Sequence, residues 1–231
     1  MNIAIVQIYD DNIKQYAEYS RLMNAMYAHQ HKYTYICFEY DLVPVSVSVY
    51  YNKILALLSV LQDNRKFDYV LYLDSDALIT NFKYKIEEII QRHQGKDIIM
   101  ASDANGTNNG VILLKNTSKS IEFLQKSYSD KNFYHTKTPE QTAMFHYARG
   151  EYLSSLGVEP AHFMNSYLDG YEGHNAPADQ VKFWNKDSFI LHLMSLSTTD
   201  RCTIFKQILS NEGIICISKP IEQPRAAQLS K

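Results

Sequence analysis

The first half of the chain alternates short apolar runs with segments in which apolar residues recur at helical spacing. The runs predict strands at residues 2–9, 34–40, 68–79 and 97–101. The intervening segments predict helices at residues 13–27, 52–61 and 86–93. Residues 69–73, Tyr-Val-Leu-Tyr-Leu, form a continuous apolar stretch of the kind found in the middle of a parallel sheet. This alternation predicts an α/β fold with a mostly parallel central sheet and flanking helices.

The second half is less regular. Its apolar pattern predicts strands at residues 111–114, 158–166 and 189–193, and helices at residues 118–128, 139–147 and 199–209. The polar stretch at residues 167–186 contains two glycines and a proline, and it predicts a long loop over the working face. Because no Pro-, Gly- or Ser-rich tract divides the chain, we expect a single domain over residues 1–210. A C-terminal strand or tail, partly flexible, is expected over residues 211–231.

The composition limits the classes of function. The 231 residues include 23 Lys and Arg against 25 Asp and Glu, and this balance argues against nucleic acid as a partner. The three cysteines are widely spaced and suggest neither a disulfide framework nor a zinc site. The longest apolar run, residues 54–61, is too short to cross a bilayer, and the N-terminus has no basic segment followed by an apolar one. We therefore expect a cytoplasmic protein without a transmembrane segment.

The most informative residues are Asp74 and Asp76, which follow the apolar stretch directly. In an extended chain, alternate residues share a face, so both carboxylates would converge at the carboxyl end of a central strand, where ligands bind in open α/β sheets. At about 5 Å and an effective dielectric near 20, their repulsion is on the order of 3 kcal/mol. A proton, a basic side chain or a divalent cation must offset it. Burial of the strand favours a cation held by oxygen ligands.

Two other interpretations of the pair stay open. One carboxylate could cap the following turn while the other is solvated. Alternatively, Asp74 would be the nucleophile of a haloacid-dehalogenase-type phosphatase and Asp76 its acid partner. That motif usually follows the first strand of its fold, whereas two predicted strands precede it here.

Several segments resemble a known family. Residues 72–79, Tyr-Leu-Asp-Ser-Asp-Ala-Leu-Ile, resemble the Asp-x-Asp segment of GT-A-fold glycosyltransferases. The order of the later segments is similar to glycosyltransferase family 34, the galactosyl-, mannosyl- and xylosyltransferases. Those segments are residues 108–116, 139–143, 163–167 and 189–192. The resemblance runs from about Lys53 to Leu209 and implies that the domain is a GT-A-type catalytic domain.

The resemblance implies a metal site. The family uses a divalent cation, commonly Mn²⁺, to hold the diphosphate of a sugar nucleotide, and it transfers the sugar with retention of configuration. Carried onto this sequence, the ligands would be Asp74, Asp76 and His192. Two carboxylates and an imidazole suit Mn²⁺ better than Mg²⁺, although Mg²⁺ stays possible. Without the carboxylate pair, His192 would be interpreted as a strand-end histidine bonded to backbone.

The resemblance also assigns residues to the donor. Lys53 matches a basic residue near the donor, and Asp103, Asn109 and Gly110 lie where the sugar ring would bind. Asp103 could equally cap a turn, and Lys53 could be solvated. Ser195 stands where the family commonly has a glycine whose backbone approaches the diphosphate, and its amide or hydroxyl could still bind phosphate.

Two residues at a predicted helix start are candidate catalytic residues. By the resemblance, Gln141 would lie near the anomeric carbon, and Glu140 could bind acceptor or stabilise positive charge on the sugar. A capping box gives Gln141 a structural explanation, with Thr138 as the N-cap and the Gln141 side chain reaching back to its amide.

Together these observations predict a metal-dependent glycosyltransferase. It would transfer a hexose or pentose from a nucleotide-diphosphate sugar to a hydroxyl of a glycan or other acceptor, with UDP favoured over GDP as the nucleotide. The alternatives are the phosphatase and a non-catalytic relative that binds sugar nucleotides.

Overall fold

A computed structural model describes residues 1–103, 106–168 and 183–211. The strands are β1 (Ile3–Ile8), β2 (Thr34–Phe38), β3 (Tyr69–Leu73), β4 (Ala77–Ile79), β5 (Ile98–Asp103), β6 (Gly106–Lys115), β7 (Leu156–Pro160) and β8 (Ile190–His192). The helices are α1 (Lys14–His31), α2 (Asn52–Leu61), α3 (Ile86–Arg92), α4 (Ser118–Ser129), α5 (Pro139–Arg149), α6 (Ala161–Met164) and α7 (Thr198–Asn211). None of the described helices is both long and apolar enough to cross a membrane.

The main sheet has six strands in the order β2-β1-β3-β6-β5-β7. Strands β2, β1 and β3 are mutually parallel, as are β5 and β7, and β6 is antiparallel to both of its neighbours. Five strands therefore run in one direction, which confirms the prediction of an α/β fold with a mostly parallel sheet. A second, two-stranded sheet consists of β4 and β8, which are antiparallel.

Helices cover both faces of the main sheet because its central strands are apolar on both sides. In β3, Val70 and Tyr72 belong to the core shared with α2, α4 and α5. The alternate residues Leu71 and Leu73 belong to the opposite core, shared with α1 and α3. This strict alternation is the period of two expected for a strand.

The structure differs from the sequence predictions at three places. Residues 68–79 are not one strand, because β3 ends at Leu73 and β4 belongs to the second sheet. Residues 158–166 are not one strand either, because β7 ends at Pro160 and α6 follows. Strand β6 is longer than predicted because it begins at Gly106, in a polar stretch that carries no strand pattern.

Two predictions concern segments that lie largely outside the described residues. Most of the predicted loop at residues 167–186, namely residues 169–182, lies outside the described residues. Nearly all of the predicted C-terminal tail, residues 212–231, lies outside them as well. The boundary of the single domain at residue 210 therefore stays a prediction.

Candidate active site

The Asp74 to Asp76 segment forms a turn at the carboxyl end of β3. The amide of Ala77 donates to the carbonyl of Asp74 at 2.9 Å, and the amide of Asp74 donates to the carbonyl of Gly110 at 2.7 Å. The expectation of an extended segment was therefore wrong. The two carboxylates still converge, but they do so because the chain turns at this point.

His192 reaches the two carboxylates through the second sheet. The register of β4 and β8 pairs Ala77 with His192, one residue beyond Asp76. The imidazole Nε2 lies 2.9 Å from Oδ1 of Asp76 and 3.8 Å from Oδ2 of Asp74. Strand pairing thus joins groups that are more than a hundred residues apart in the chain.

The three side chains fit a divalent cation. One ligand atom from each of Asp74, Asp76 and His192 lies within 4.8 Å of the others. Ligands at about 2.0–2.6 Å from a shared ion are separated by no more than roughly 5 Å. Two carboxylate oxygens and an imidazole nitrogen also form a donor set that suits Mn²⁺.

The imidazole is held in the orientation that a metal ligand needs. His192 is buried, and its Nδ1 lies 2.8 Å from Oδ1 of the fully buried Asn165. With Nδ1–H donating to Asn165, Nε2 is the nitrogen available to a metal. Gly110 makes this position possible, because a Cβ there would lie 2.2 Å from Cε1 of His192 and 2.9 Å from Oδ2 of Asp74.

One oxygen of each carboxylate is paired with a basic side chain. Oδ1 of Asp74 accepts from Nζ of Lys53 at 3.0 Å and from the hydroxyl of Tyr72 at 3.0 Å. Oδ2 of Asp76 accepts from Nη2 of Arg201 at 2.7 Å. The second oxygen of each carboxylate faces His192 and is the one available to a metal. Burial raises the pKa of Asp76, but His192 and Arg201 more than offset this and hold that pKa below its ordinary value.

Lys53 lies between two carboxylates and is only 6% exposed. Its Nζ is 3.0 Å from Oδ1 of Asp74, 3.4 Å from Oε1 of Glu140 and 3.2 Å from Oδ1 of Asn109. Burial alone would lower the pKa of Lys53, but Asp74 and Glu140 raise it, so the ammonium stays charged. The side chain of Lys53 is therefore directed to these carboxylates, and the alternative of a solvated lysine is wrong.

Asn109 and Glu140 form the inner wall of the site. Nδ2 of Asn109 donates to Oε1 of Glu140 at 3.2 Å, and both side chains are buried. Among the described residues, Oε2 of Glu140 has no hydrogen-bond partner. A buried carboxylate oxygen without a partner is unusual and commonly marks a functional group or a bound water.

The remaining predicted residues are Gln141, Ser195 and Asp103. Gln141 is half-buried in the first turn of α5, but Thr138 makes no capping hydrogen bond, so the proposed capping box is not formed. Ser195 is exposed in the turn after β8 and has a φ of 58°, in the left-handed region that favours glycine. Asp103 ends β5, and its side chain lies outside the described part of the structure.

Sequence reasoning missed Arg201, Tyr72 and the orienting role of Asn165. Arg201 comes from α7, stacks its guanidinium 4.8 Å from the ring centroid of Tyr16 and donates from Nε to the carbonyl of Leu193 at 3.0 Å. An arginine on an amphipathic helix gives no sequence signal of this role. Tyr72 lies two positions before Asp74, but the sequence pattern counted it only as part of the apolar stretch of residues 69–73.

Comparison with known sequences gives one family match. Residues 9–95 match the galactosyl transferase GMA12/MNN10 family, that is, glycosyltransferase family 34. The match includes Asp74 and Asp76 but ends before His192. It begins at residue 9, whereas the resemblance noted in the sequence began at about Lys53. No curated protein sequence matches the chain.

Comparison with solved structures identifies the fold. The chain is similar to a glycosyltransferase involved in the glycosylation of the major capsid of PBCV-1, with a TM-score of 0.74, 16% identity and coverage of 90% of this chain and 100% of that one. It is also similar to mouse xyloside xylosyltransferase 1, with a TM-score of 0.55, 12% identity and coverage of 84% and 98%. The galactosyltransferase LgtC, in complex with donor and acceptor sugar analogs, gives a TM-score of 0.52, 13% identity and coverage of 90% and 95%.

At these low identities the structural likeness identifies the fold, and the family match adds the relationship over the segment that carries the Asp-x-Asp turn. The two findings agree with the site geometry built from Asp74, Asp76 and His192. The chain has the GT-A fold of the similar glycosyltransferase structures, and its residues 9–95 resemble glycosyltransferase family 34.

Proposed function

We propose that the protein transfers a hexose or pentose from a nucleotide-diphosphate sugar, a UDP-sugar rather than a GDP-sugar, to a hydroxyl of a glycan or other acceptor. Asp74, Asp76 and His192 would hold a divalent cation, Mn²⁺ in preference to Mg²⁺. The observation that carries the proposal is the convergence of their three ligand atoms within 4.8 Å at the carboxyl end of a central strand. When bound, the cation stabilises the negative charge that develops on the leaving diphosphate.

The charges around the site support an anionic donor. Asp74, Asp76 and Glu140 supply three negative charges, and Lys53 and Arg201 supply two positive ones, which leaves a net charge of −1. A divalent cation changes this to +1, so the loaded site attracts a diphosphate and the metal-free site does not. Lys53 acts on the donor through Asp74, because its ammonium is buried and paired with that carboxylate.

The donor sugar would lie beside β6 and the start of α5. Asn109 and Gly110 on β6, Gln141 on α5 and the Asp103 position are proposed to surround the ring. Ser195 is proposed to bind the diphosphate through its amide or hydroxyl. The backbone of Ser195 is in the left-handed region that favours glycine, so the chain here has the conformation that a glycine would adopt.

Retention of configuration is proposed to occur by attack on the face from which the diphosphate leaves. The amide of Gln141 is a poor nucleophile. The carboxylate of Glu140 is 3% exposed, and one of its oxygens is paired with Lys53 and Asn109, which is a poor arrangement for covalent attack on a sugar. Glu140 would instead contribute its negative charge to stabilise a positively charged sugar in the transition state. Trapping of a glycosyl group on Glu140 by mass spectrometry would contradict this mechanism.

The phosphatase interpretation has little support. Asp74 follows the third strand of the chain, whereas the nucleophile of that phosphatase class usually follows the first strand of its fold. The similar solved structures are also glycosyltransferases.

The proposal is tested by a panel of nucleotide sugars with and without Mn²⁺. UDP- and GDP-linked galactose, glucose, mannose and xylose are added to the protein, and the melting temperature and the release of free nucleotide are measured. We expect one donor class to raise the melting temperature and to be hydrolysed slowly, in both cases only with Mn²⁺. Asp76→Asn and His192→Ala are expected to abolish hydrolysis while remaining folded. Stabilisation without turnover of any donor or acceptor would indicate the non-catalytic relative, and unchanged hydrolysis in both variants would refute the metal site.

A further inference from the structure

Two polar residues lie on the buried face of α1. Ser20 and Asn24 are fully buried, one helical turn apart, among residues that are mostly apolar. Polar side chains in such positions are retained where they satisfy other buried polar groups. Both side chains point at the segment that carries Asp74 and Asp76.

Asn24 occupies the free edge of β4. Strand β4 pairs with β8 along one edge, which leaves the carbonyl of Ala77 and the amide of Ile79 on the other edge. Nδ2 of Asn24 donates to the carbonyl of Ala77 at 3.0 Å, and Oδ1 of Asn24 accepts from the amide of Ile79 at 2.9 Å. The side-chain amide therefore takes the place of one residue of a neighbouring strand.

Ser20 and Gln7 hold the turn itself. The hydroxyl of Ser20 donates to the carbonyl of Ser75 at 2.6 Å, and Nε2 of the buried Gln7 donates to the carbonyl of Asp74 at 3.2 Å. The hydroxyl of Ser75 in turn donates to the carbonyl of Ile8 at 2.7 Å. These bonds tie the turn to β1 and α1.

The backbone of the turn is satisfied at every carbonyl from residue 74 to residue 77. The carbonyl of Asp76 accepts from the amide of Leu193 at 2.9 Å, and the other three accept from the side chains of Gln7, Ser20 and Asn24. The two proposed metal-binding carboxylates therefore project from a segment whose path is fixed by neighbours on β1, on α1 and directly after β8.

We propose that Gln7, Ser20 and Asn24 are positioning residues that fix the metal-binding turn before the cation arrives. The inference rests on the proposed function, because it assigns these side chains to the same metal site. Loss of an outer-shell partner commonly weakens metal binding about 10–100-fold. A purely structural role would lower stability and leave the affinity for Mn²⁺ unchanged.

The test compares variants of Ser20 and Asn24 with matched variants elsewhere in the chain. Asn24→Leu removes two side-chain bonds to backbone, and Asn116→Leu is its control, because Nδ2 of Asn116 donates to the carbonyls of Leu61 and Phe67, each at 2.9 Å. Ser20→Ala has Ser127→Ala as its control, because the buried Ser127 hydroxyl donates to the carbonyl of Phe123 at 2.8 Å within α4. The dissociation constant of Mn²⁺ is measured by electron paramagnetic resonance at a temperature at which circular dichroism shows each variant folded.

We expect about 10–100-fold weaker binding in Asn24→Leu, a smaller loss in Ser20→Ala, and values within twofold of the wild type in both controls. If Asn24→Leu does not fold, Ser20→Ala and its control decide the result. Wild-type affinity for Mn²⁺ in each of Asn24→Leu and Ser20→Ala that folds, together with weakened binding in Asp76→Asn, would overturn the positioning role alone. Unchanged binding in Asp76→Asn would overturn the proposed metal site, and the positioning role with it.

Discussion

Replacing Lys53 by methionine removes a buried positive charge that contacts two carboxylates. Nζ lies 3.0 Å from Oδ1 of Asp74 and 3.4 Å from Oε1 of Glu140, and the side chains of Lys53 and Glu140 are 7% and 4% exposed. At an effective dielectric near 20, each attraction amounts to about 5 kcal/mol before the cost of desolvation is subtracted.

Among the described residues, the substitution leaves the buried carboxyl group of Glu140 without a basic partner. Breaking a buried ion pair in this way costs about 3–5 kcal/mol. For a protein of this size, that loss corresponds to a melting temperature lower by about 6–20 °C. We therefore expect Lys53→Met to fold at low temperature, because typical domains are stable by about 5–15 kcal/mol, and to unfold at a much lower urea concentration than the wild type.

The assay is urea unfolding followed by circular dichroism, applied to a double-mutant cycle. In Lys53→Met combined with Glu140→Gln, the stranded carboxylate is gone, so the combined loss should be smaller than the sum of the single losses by about 1–3 kcal/mol. Lys126→Met serves as the control, because Lys126 pairs with Glu122 and Glu151 at the surface. We expect little change in that variant.

Two results would refute this reasoning. The first is a free energy of unfolding for Lys53→Met within about 1 kcal/mol of the wild type, and the second is strict additivity in the cycle. Either result would mean that Lys53 does not compensate the buried carboxylates.

Three further predictions follow from single residues. Gly110→Ala should weaken Mn²⁺ binding at least tenfold in a titration, because its Cβ would lie 2.2 Å from Cε1 of His192, and wild-type affinity would contradict the packing argument. Ser195→Gly should raise the free energy of unfolding by about 0.5–1 kcal/mol, since φ is 58° there, and a clear loss in urea unfolding would count against it. Burial raises the pKa of Glu18, but Arg21 and a tyrosine hydroxyl hold it below the ordinary value of 4.5. The stability advantage of the wild type over Glu18→Gln should therefore be present above pH 4.5 and shrink as the pH falls below it, and a difference that does not change with pH would exclude the linkage.

The sequence predicted most of the fold because apolar periodicity decides which segments are buried. Helix α2 was predicted with the bounds it has, Asn52–Leu61, since seven of its ten residues are buried. The failures occur where a long-range partner overrides the local pattern. Residues 77–79 pair with β8 rather than continuing β3, and nothing in residues 68–79 records that partner.

The candidate site was predicted in part for the same reason. The pair Asp74 and Asp76 was visible as two acids after an apolar run, and His192 followed from the family resemblance. The partners that hold them were not visible, because a buried Asn24 or an ion-paired Arg201 cannot be told from an ordinary helix residue without the fold. Ser20 and Asn24, as polar residues on the apolar face of α1, were a signal of these partners in the sequence. In the structure their side chains donate hydrogen bonds to backbone carbonyls of the segment that carries Asp74 and Asp76.

The most direct measurement is anomalous diffraction from crystals of the protein soaked in Mn²⁺ and recorded on the low-energy side of the iron edge, where manganese scatters strongly. We expect a single strong peak about 2.0–2.3 Å from Oδ2 of Asp74, Oδ1 of Asp76 and Nε2 of His192. A peak at another place, or none between these three atoms at millimolar Mn²⁺, would contradict it.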